Sequence, residues 1–164
     1  MNDKYENFAQ LAQNEEMDKD FTIIYRKANP ELAVIAPYGG GIEPGTIDIA
    51  DVLAGCDYTF YAFKALKSSE NRFLHITSNR FDEPLGLEAS QNVRVSITTH
   101  GSKFRNQIVH IGGRHQALKQ EITLALRAAG FDAQISEIPG LRGIKPENIC
   151  NQCRIYPAIN YPLN

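Results

Sequence analysis

Apolar residues change their period several times along the chain, and each change marks an element. Residues 3–16 carry Tyr5, Phe8, Ala9, Leu11 and Ala12 at helical spacing, which predicts an N-terminal helix. Phe21–Arg26 and 31–36 are short runs rich in β-branched and aromatic residues, split by the turn signal Asn29-Pro30. A helix is predicted over 47–54, with Thr46 as N-cap and Asp48 in the first turn. Strands are expected at 58–63, 73–77, 93–98, 107–111 and 133–138. Over 116–129, Leu118, Ile122, Ala125 and Ala129 share one helical face, and Gly130 supplies the stop.

Strands therefore alternate with helices from end to end. That order predicts an α/β fold: one domain over residues 1–164, with a central, mixed to mostly parallel sheet flanked by helices. In open sheets of this kind function gathers in the loops leaving the carboxyl ends of strands. Strand 31–36 runs into Tyr38 and the glycine loop, and strand 93–98 runs into Thr99-His100-Gly101-Ser102. If the two strands are parallel, both loops open on one edge of the sheet, and Tyr38, Glu43 and His100 meet there.

Composition narrows the possibilities. The 164 residues are 43% hydrophobic and 22% charged, enough apolar material for a packed core without a metal or disulfide staple. Seventeen Lys+Arg against nineteen Asp+Glu leave a net charge of −2. A nucleic-acid partner is not expected, because phosphate neutralisation needs a cationic surplus. No apolar run approaches the ~20 residues that span a bilayer, so no membrane partner is expected. The polar start, Met-Asn-Asp-Lys-Tyr-Glu-Asn-Phe, has no signal-peptide pattern. The expected location is the cytoplasm as synthesised, with release on host lysis, and the expected state is a monomer. Cys56, Cys150 and Cys153 read by default as reduced thiols.

The candidate chemistry lies in a few segments. Gly39-Gly-Gly-Ile-Glu-Pro-Gly-Thr46 follows a strand and opens a helix, as a phosphate loop does. Its Lys is missing, however, and Glu43 puts negative charge where phosphate would sit, which disfavours a nucleotide. The same residues suit a cation: glycines permit close backbone approach and Glu43 offers oxygen. The competing interpretation is a plain turn with a solvated glutamate. His100, between a strand and a Gly-Ser turn, becomes a metal-ligand candidate if a carboxylate from another loop meets it. His75 and His110 fall inside predicted strands as core or cross-strand residues, and His115 starts a helix as an exposed one. Cys150-Asn-Gln-Cys153 is half of a four-thiolate zinc motif with nothing to complete it. Arg72, Arg80, Arg105 and Arg114 border strand ends, where guanidinium forks suit a carboxylate-bearing ligand; taken singly, each reads as an ordinary surface arginine.

Together these segments resemble a known pattern. Val34-Ile-Ala-Pro-Tyr-Gly-Gly-Gly-Ile-Glu-Pro-Gly-Thr46, Leu74-His-Ile-Thr-Ser-Asn-Arg-Phe-Asp-Glu-Pro84, His100-Gly101, Val109-His-Ile-Gly-Gly113 and Pro146-Glu-Asn-Ile-Cys-Asn151 resemble, in consistent order over about residues 5–151, the phage-associated poly-γ-glutamate hydrolase family. The resemblance implies a fold similar to the zinc carboxypeptidases and a zinc-dependent hydrolase that cuts the γ-glutamyl amide links of a polyanionic capsule polymer. It implies Glu43 and His100 as Zn²⁺ ligands. Where the family has a further His, this chain has Tyr38, leaving Tyr38 or water as third ligand and implying weak or absent zinc. Arg80 is the candidate for holding substrate carboxylates. The family's general-base Glu finds no counterpart in 154–164, a divergent tail containing no Asp or Glu. The alternative is therefore a catalytically degenerate prophage relative that keeps the fold and at most binds carboxylate polymer.

Overall fold

The computed structural model describes residues 3–104 and 106–155. These residues form two compact units, 3–101 with 146–155 and, separately, 102–104 with 106–145.

The first unit is built on a four-stranded sheet. Its strands are β1 (Phe21–Arg26), β2 (Asn29–Gly40), β3 (Tyr58–Ala65) and β4 (Val95–Thr98), in the order β1-β3-β2-β4. β2 runs parallel to both β3 and β4, while β1 pairs antiparallel with β3. This is the expected α/β fold with a mixed sheet. Side chains alternate across the pleat. Val34, Ala36, Phe60 and Ala62 point to one face, where Ala50 and Ala54 of α2 (Thr46–Ala54) cover them. Ala33, Ile35, Tyr61 and Phe63 point to the other, into a larger core with Tyr5, Leu11, Phe21, Leu74, Phe81, Val93, Ile149 and Cys153. α1 (Phe8–Asn14) contributes Leu11 to that core, and α3 (Pro84–Gln91) contributes Ala89. Helices therefore flank both faces. Phe21 and Phe63 stack at 5.1 Å beneath α1, and Phe8 meets Phe21 edge-on.

Several local expectations are corrected. The Asn29-Pro30 turn is absent: β2 starts at Asn29 and runs through the buried Pro37 to Gly40. The missing Pro37 amide is tolerated because pairing to β4 ends at Ile35 and the β2–β3 register shifts between Ala36 and Gly39. Thr46 is not the N-cap of α2. That position belongs to Gly45, in the left-handed region at φ 87°, while the Thr46 hydroxyl bonds back to the Glu43 carbonyl at 2.8 Å. The strand expected at 73–77 does not form. Asn71–Leu74 is a 3₁₀ turn followed by extended chain in no ladder, so His75 is not a strand residue. α3, unanticipated, starts on Pro84, capped by the Glu83 carboxylate accepting the Gly86 amide at 2.8 Å.

The second unit is a βαβ arrangement. β5 (Ile108–Ile111) and β6 (Asp132–Ile135) pair parallel with each other, joined by α4 (Gln116–Ala128). His115 caps α4 through Nδ1, which accepts the Leu118 amide at 3.2 Å, and Gly130 follows the helix at φ 87° as expected. Among the described residues, no helix is long and apolar enough to cross a membrane.

Candidate functional site

The parallel pairing of β2 with β4, Leu32↔Val95 through Ile35↔Thr98, brings the ends of both strands to one edge of the sheet. The Thr99 amide donates to the Ile35 carbonyl at 2.9 Å, and its hydroxyl donates to the Thr46 carbonyl at 3.0 Å. The loop leaving β4 is thus bound to both ends of the glycine loop. That loop is itself closed by the Glu43 amide donating to the Tyr38 carbonyl at 2.8 Å. Its turn needs glycine at position 40, where φ is +64° and a Cβ would lie 2.2 Å from the Ala65 carbonyl oxygen.

These constraints bring Glu43 and His100 together. His100 Nδ1 lies 3.7 Å from Glu43 Oε2, and the same oxygen accepts the Gly101 amide at 2.8 Å. Two bonds of about 2 Å at a tetrahedral angle set zinc donors about 3.4 Å apart, so one ion reaches both groups. Both are accessible, with side chains 35% and 21% exposed.

Tyr38 lies beneath them, 3% exposed, its ring centroid 5.1 Å from His100 and 4.2 Å from His75. Its hydroxyl is bonded to Ser78 Oγ at 2.8 Å. Burial pushes the phenol well above its ordinary range. The Ser78 bond pulls it back only in part, and the negative charges of Glu43 and Asp3 reinforce the rise. A metal-bound phenol is ionised, and burial opposes that charge here.

The candidate Arg80 and three residues that were not candidates, Asp3, His75 and Thr77, complete the surroundings. Asp3, with a side chain 9% exposed, accepts from His75 Nδ1 at 2.7 Å, the Thr77 amide at 2.8 Å and Arg80 Nη2 at 2.8 Å. Burial opposes its charge, but these donors outweigh it and hold the carboxyl below its usual range. Arg80 thus lies near the site with one nitrogen already engaged. Of the other arginines, Arg72 lies over the Phe73 ring, Arg114 belongs to the second unit, and Arg105 lies outside the described residues. Cys153 is core, and burial, reinforced by Cys153, pushes the Cys150 thiol up to about 11. The one available clue to His75 and Ser78 was their place in the Leu74–Pro84 motif; nothing local pointed to Asp3.

A catalytic zinc needs three protein ligands and an open position. Glu43 and His100 supply two. The third candidate, Tyr38, is buried and bound to Ser78, and among the described residues no three His, Cys, Asp or Glu groups converge as a metal site. Among the described residues the donor set does not fit a resident catalytic zinc. Residues 156–164, most of the tail where a general base was sought, lie outside the described residues.

A bacteriophage poly-γ-glutamate hydrolase superposes with a TM-score of 0.87 at 29% identity, covering 93% of this chain and 74% of that one, and the α/β fold they share is similar to that of the zinc carboxypeptidases. A zinc-free apo structure of YndL gives 0.86 at 35% identity, covering 93% and 75%. A family model for poly-γ-glutamate hydrolase matches residues 5–161, and the chain belongs to that family. Curated relatives include the UPF0714 proteins of Bacillus subtilis strain 168. YndL is 35% identical over 99% of this chain and 64% of its own length, and YmaC 37% over 92% and 64%. The SPβ prophage-derived YoqZ is 35% identical over 92% of this chain and 54% of its own. The chain thus spans less than two thirds of the length of these relatives. The family is zinc-dependent in general.

Proposed function

We propose that this chain recognises the γ-linked glutamate polymer at the Glu43–His100 edge, and that its capacity for zinc-dependent cleavage of γ-glutamyl amides is strongly attenuated. One observation carries the attenuation: the Tyr38 hydroxyl is buried and bonded to Ser78. Losing a ligand outright costs more than the 10–100-fold typical of outer-shell changes. On this reading Glu43 and His100 remain weak divalent-cation donors, and Arg80 is the cation nearest the polymer carboxylates. The ligand is a polyanion rather than nucleic acid or membrane. The protein acts as a monomer made in the cytoplasm, meeting polymer released or exposed on host lysis.

A second reading, a fully active hydrolase, is favoured by the 3.7 Å approach of His100 to Glu43, a spacing one cation can bridge. Zinc content of the purified protein, together with electrophoresis of poly-γ-glutamate after incubation, separates the two. Sub-stoichiometric zinc and slow or absent chain shortening are expected, with Tyr38→His gaining zinc affinity by at least about tenfold. Stoichiometric zinc and rapid shortening by the unaltered chain would overturn the attenuated reading.

A further inference from the structure

Loop 75–80 presents three convergent donors to one carboxylate, and that carboxylate belongs to the chain itself. His75 Nδ1, the Thr77 amide and Arg80 Nη2 all lie within 2.7–2.8 Å of the two Asp3 oxygens. An imidazole N–H, a backbone amide and a guanidinium form an anion receptor, since charge-assisted bonds to a carboxylate are the strong ones.

The loop holds its shape by bonds that do not involve Asp3. The Arg80 amide donates to the Thr77 carbonyl at 2.7 Å, and the Ile149 amide donates to the Ser78 carbonyl at 3.0 Å. The Ser78 hydroxyl meets Tyr38 at 2.8 Å. The receptor is therefore organised without its occupant. It also adjoins the site, because the His75 ring packs on Tyr38 at 4.2 Å. Its donors are not sealed off: the side chain of His75 is 31% exposed and that of Arg80 46%. Asp3 reaches the receptor from a segment anchored two residues on, where Tyr5 is buried and bonded to Glu15.

We propose that loop 75–80 is a carboxylate-binding subsite that Asp3 fills in cis, and that a carboxylate of the γ-glutamyl chain competes with Asp3 for it. The choice of ligand rests on the functional reading above; the receptor itself does not. In the free protein Asp3 neutralises Arg80 and keeps the subsite closed. A multivalent polyanion offers many carboxylates at high local concentration, the condition under which an intramolecular plug can be displaced.

The test compares the unaltered protein with Asp3→Ala and Asp3→Asn, titrated with acetate and with short γ-linked glutamate oligomers by calorimetry and thermal shift. Circular dichroism checks the fold. Asp3→Asn keeps an acceptor for the Thr77 amide and serves if the alanine variant does not fold. Opening the subsite is expected to strengthen binding of both ligands at least tenfold, and adding Arg80→Gln to either variant is expected to abolish the gain. Folded variants that bind neither ligand better than the parent overturn the proposal. Oligomer binding that is present but indifferent to Asp3 overturns the subsite and leaves the polymer reading standing. A gain for acetate without any oligomer binding upholds the receptor and sinks the polymer reading.

Discussion

The backbone amide of Gly101 donates to Glu43 Oε2 at 2.8 Å, across 58 residues of sequence. This bond joins the loop bearing His100 to the loop bearing Glu43 and leaves the imidazole beside the same oxygen. A Cβ at position 101 would come within 3.1 Å of Glu43 Cβ and 3.3 Å of its Cγ. The carboxylate would have to move.

Gly101→Ala is therefore expected to lower affinity for divalent cations about tenfold, the scale of losing a group that orients a ligand. Global stability should fall by less than about 1 kcal/mol, because the neighbour is a side chain and not backbone. Metal titration followed by a fluorescent indicator, with denaturation in parallel, measures both. Unchanged affinity would show that the Gly101 bond does not orient Glu43.

The Tyr38–Ser78 bond should show itself in a double-mutant cycle. Ser78→Ala strands a buried phenolic hydroxyl and is expected to cost about 1–3 kcal/mol. Removing both hydroxyls, with Tyr38→Phe and Ser78→Ala together, should recover most of that loss, since no polar group is then left unsatisfied. Urea denaturation of the four proteins reads the coupling. Strict additivity would argue that the bond contributes nothing.

Acid stability should depend on Glu15. Its carboxylate, 4% exposed, accepts from Lys67, Tyr5 and Lys4. Burial by itself raises its pKa, but these donors outweigh burial and bring it down to about 2. A folded-state pKa below the unfolded value contributes stability that is complete above pH ~4.5 and is lost as pH falls toward 2. The contribution is on the order of 3 kcal/mol. Glu15→Gln should flatten the stability–pH curve between pH 5 and 2 (about the window set by the two pKa values) and lower stability at neutral pH. An unchanged slope over that window would remove Glu15 as its cause.

Gly40→Ala tests the turn that sets the glycine loop. The position combines a left-handed φ with a backbone oxygen 2.2 Å from the new Cβ, and pairing of Gly40 with Ala65 prevents relief. A loss of about 3 kcal/mol or more is expected in equilibrium unfolding. A cost below about 1 kcal/mol would mean the strand end yields easily.

Thiol labelling should divide the cysteines. Cys56 is exposed, Cys153 is buried, and the Cys150 thiol, at about 11, is almost wholly protonated at pH 8. Iodoacetamide at pH 8 is expected to modify Cys56 first, with Cys150 and Cys153 reacting on unfolding. Rapid native-state labelling of Cys150 would contradict the burial of that thiol.

Where the sequence misled, it did so for identifiable reasons. Leu74 and Ile76 alternate with polar neighbours and both are buried, so the segment has a strand's pattern. Alternation records which side chains go inside, however, not whether a partner strand is available, and here the segment pairs with none. α3 was hidden by Gly86 and Ser90, poor helix formers in isolation. In the fold Gly86 is required, since a Cβ there would lie 2.9 Å from Phe81 and 3.0 Å from Tyr61.

The chain by itself determined the α/β layering, because periodicity and turn residues act over a few positions and are written locally. It also singled out Tyr38, Glu43 and His100 as the candidate side chains beyond the ends of β2 and β4. Tertiary structure alone decided which of them meet. Parallel pairing of β2 with β4 joined Glu43 to His100, and packing turned the Tyr38 hydroxyl toward Ser78. Closure of the N-terminal segment delivered Asp3 to His75, 72 positions away. Such meetings depend on register and on how layers stack, quantities that arise from the whole chain minimising exposed apolar surface and unpaired polar groups at once, and no short stretch of sequence encodes them.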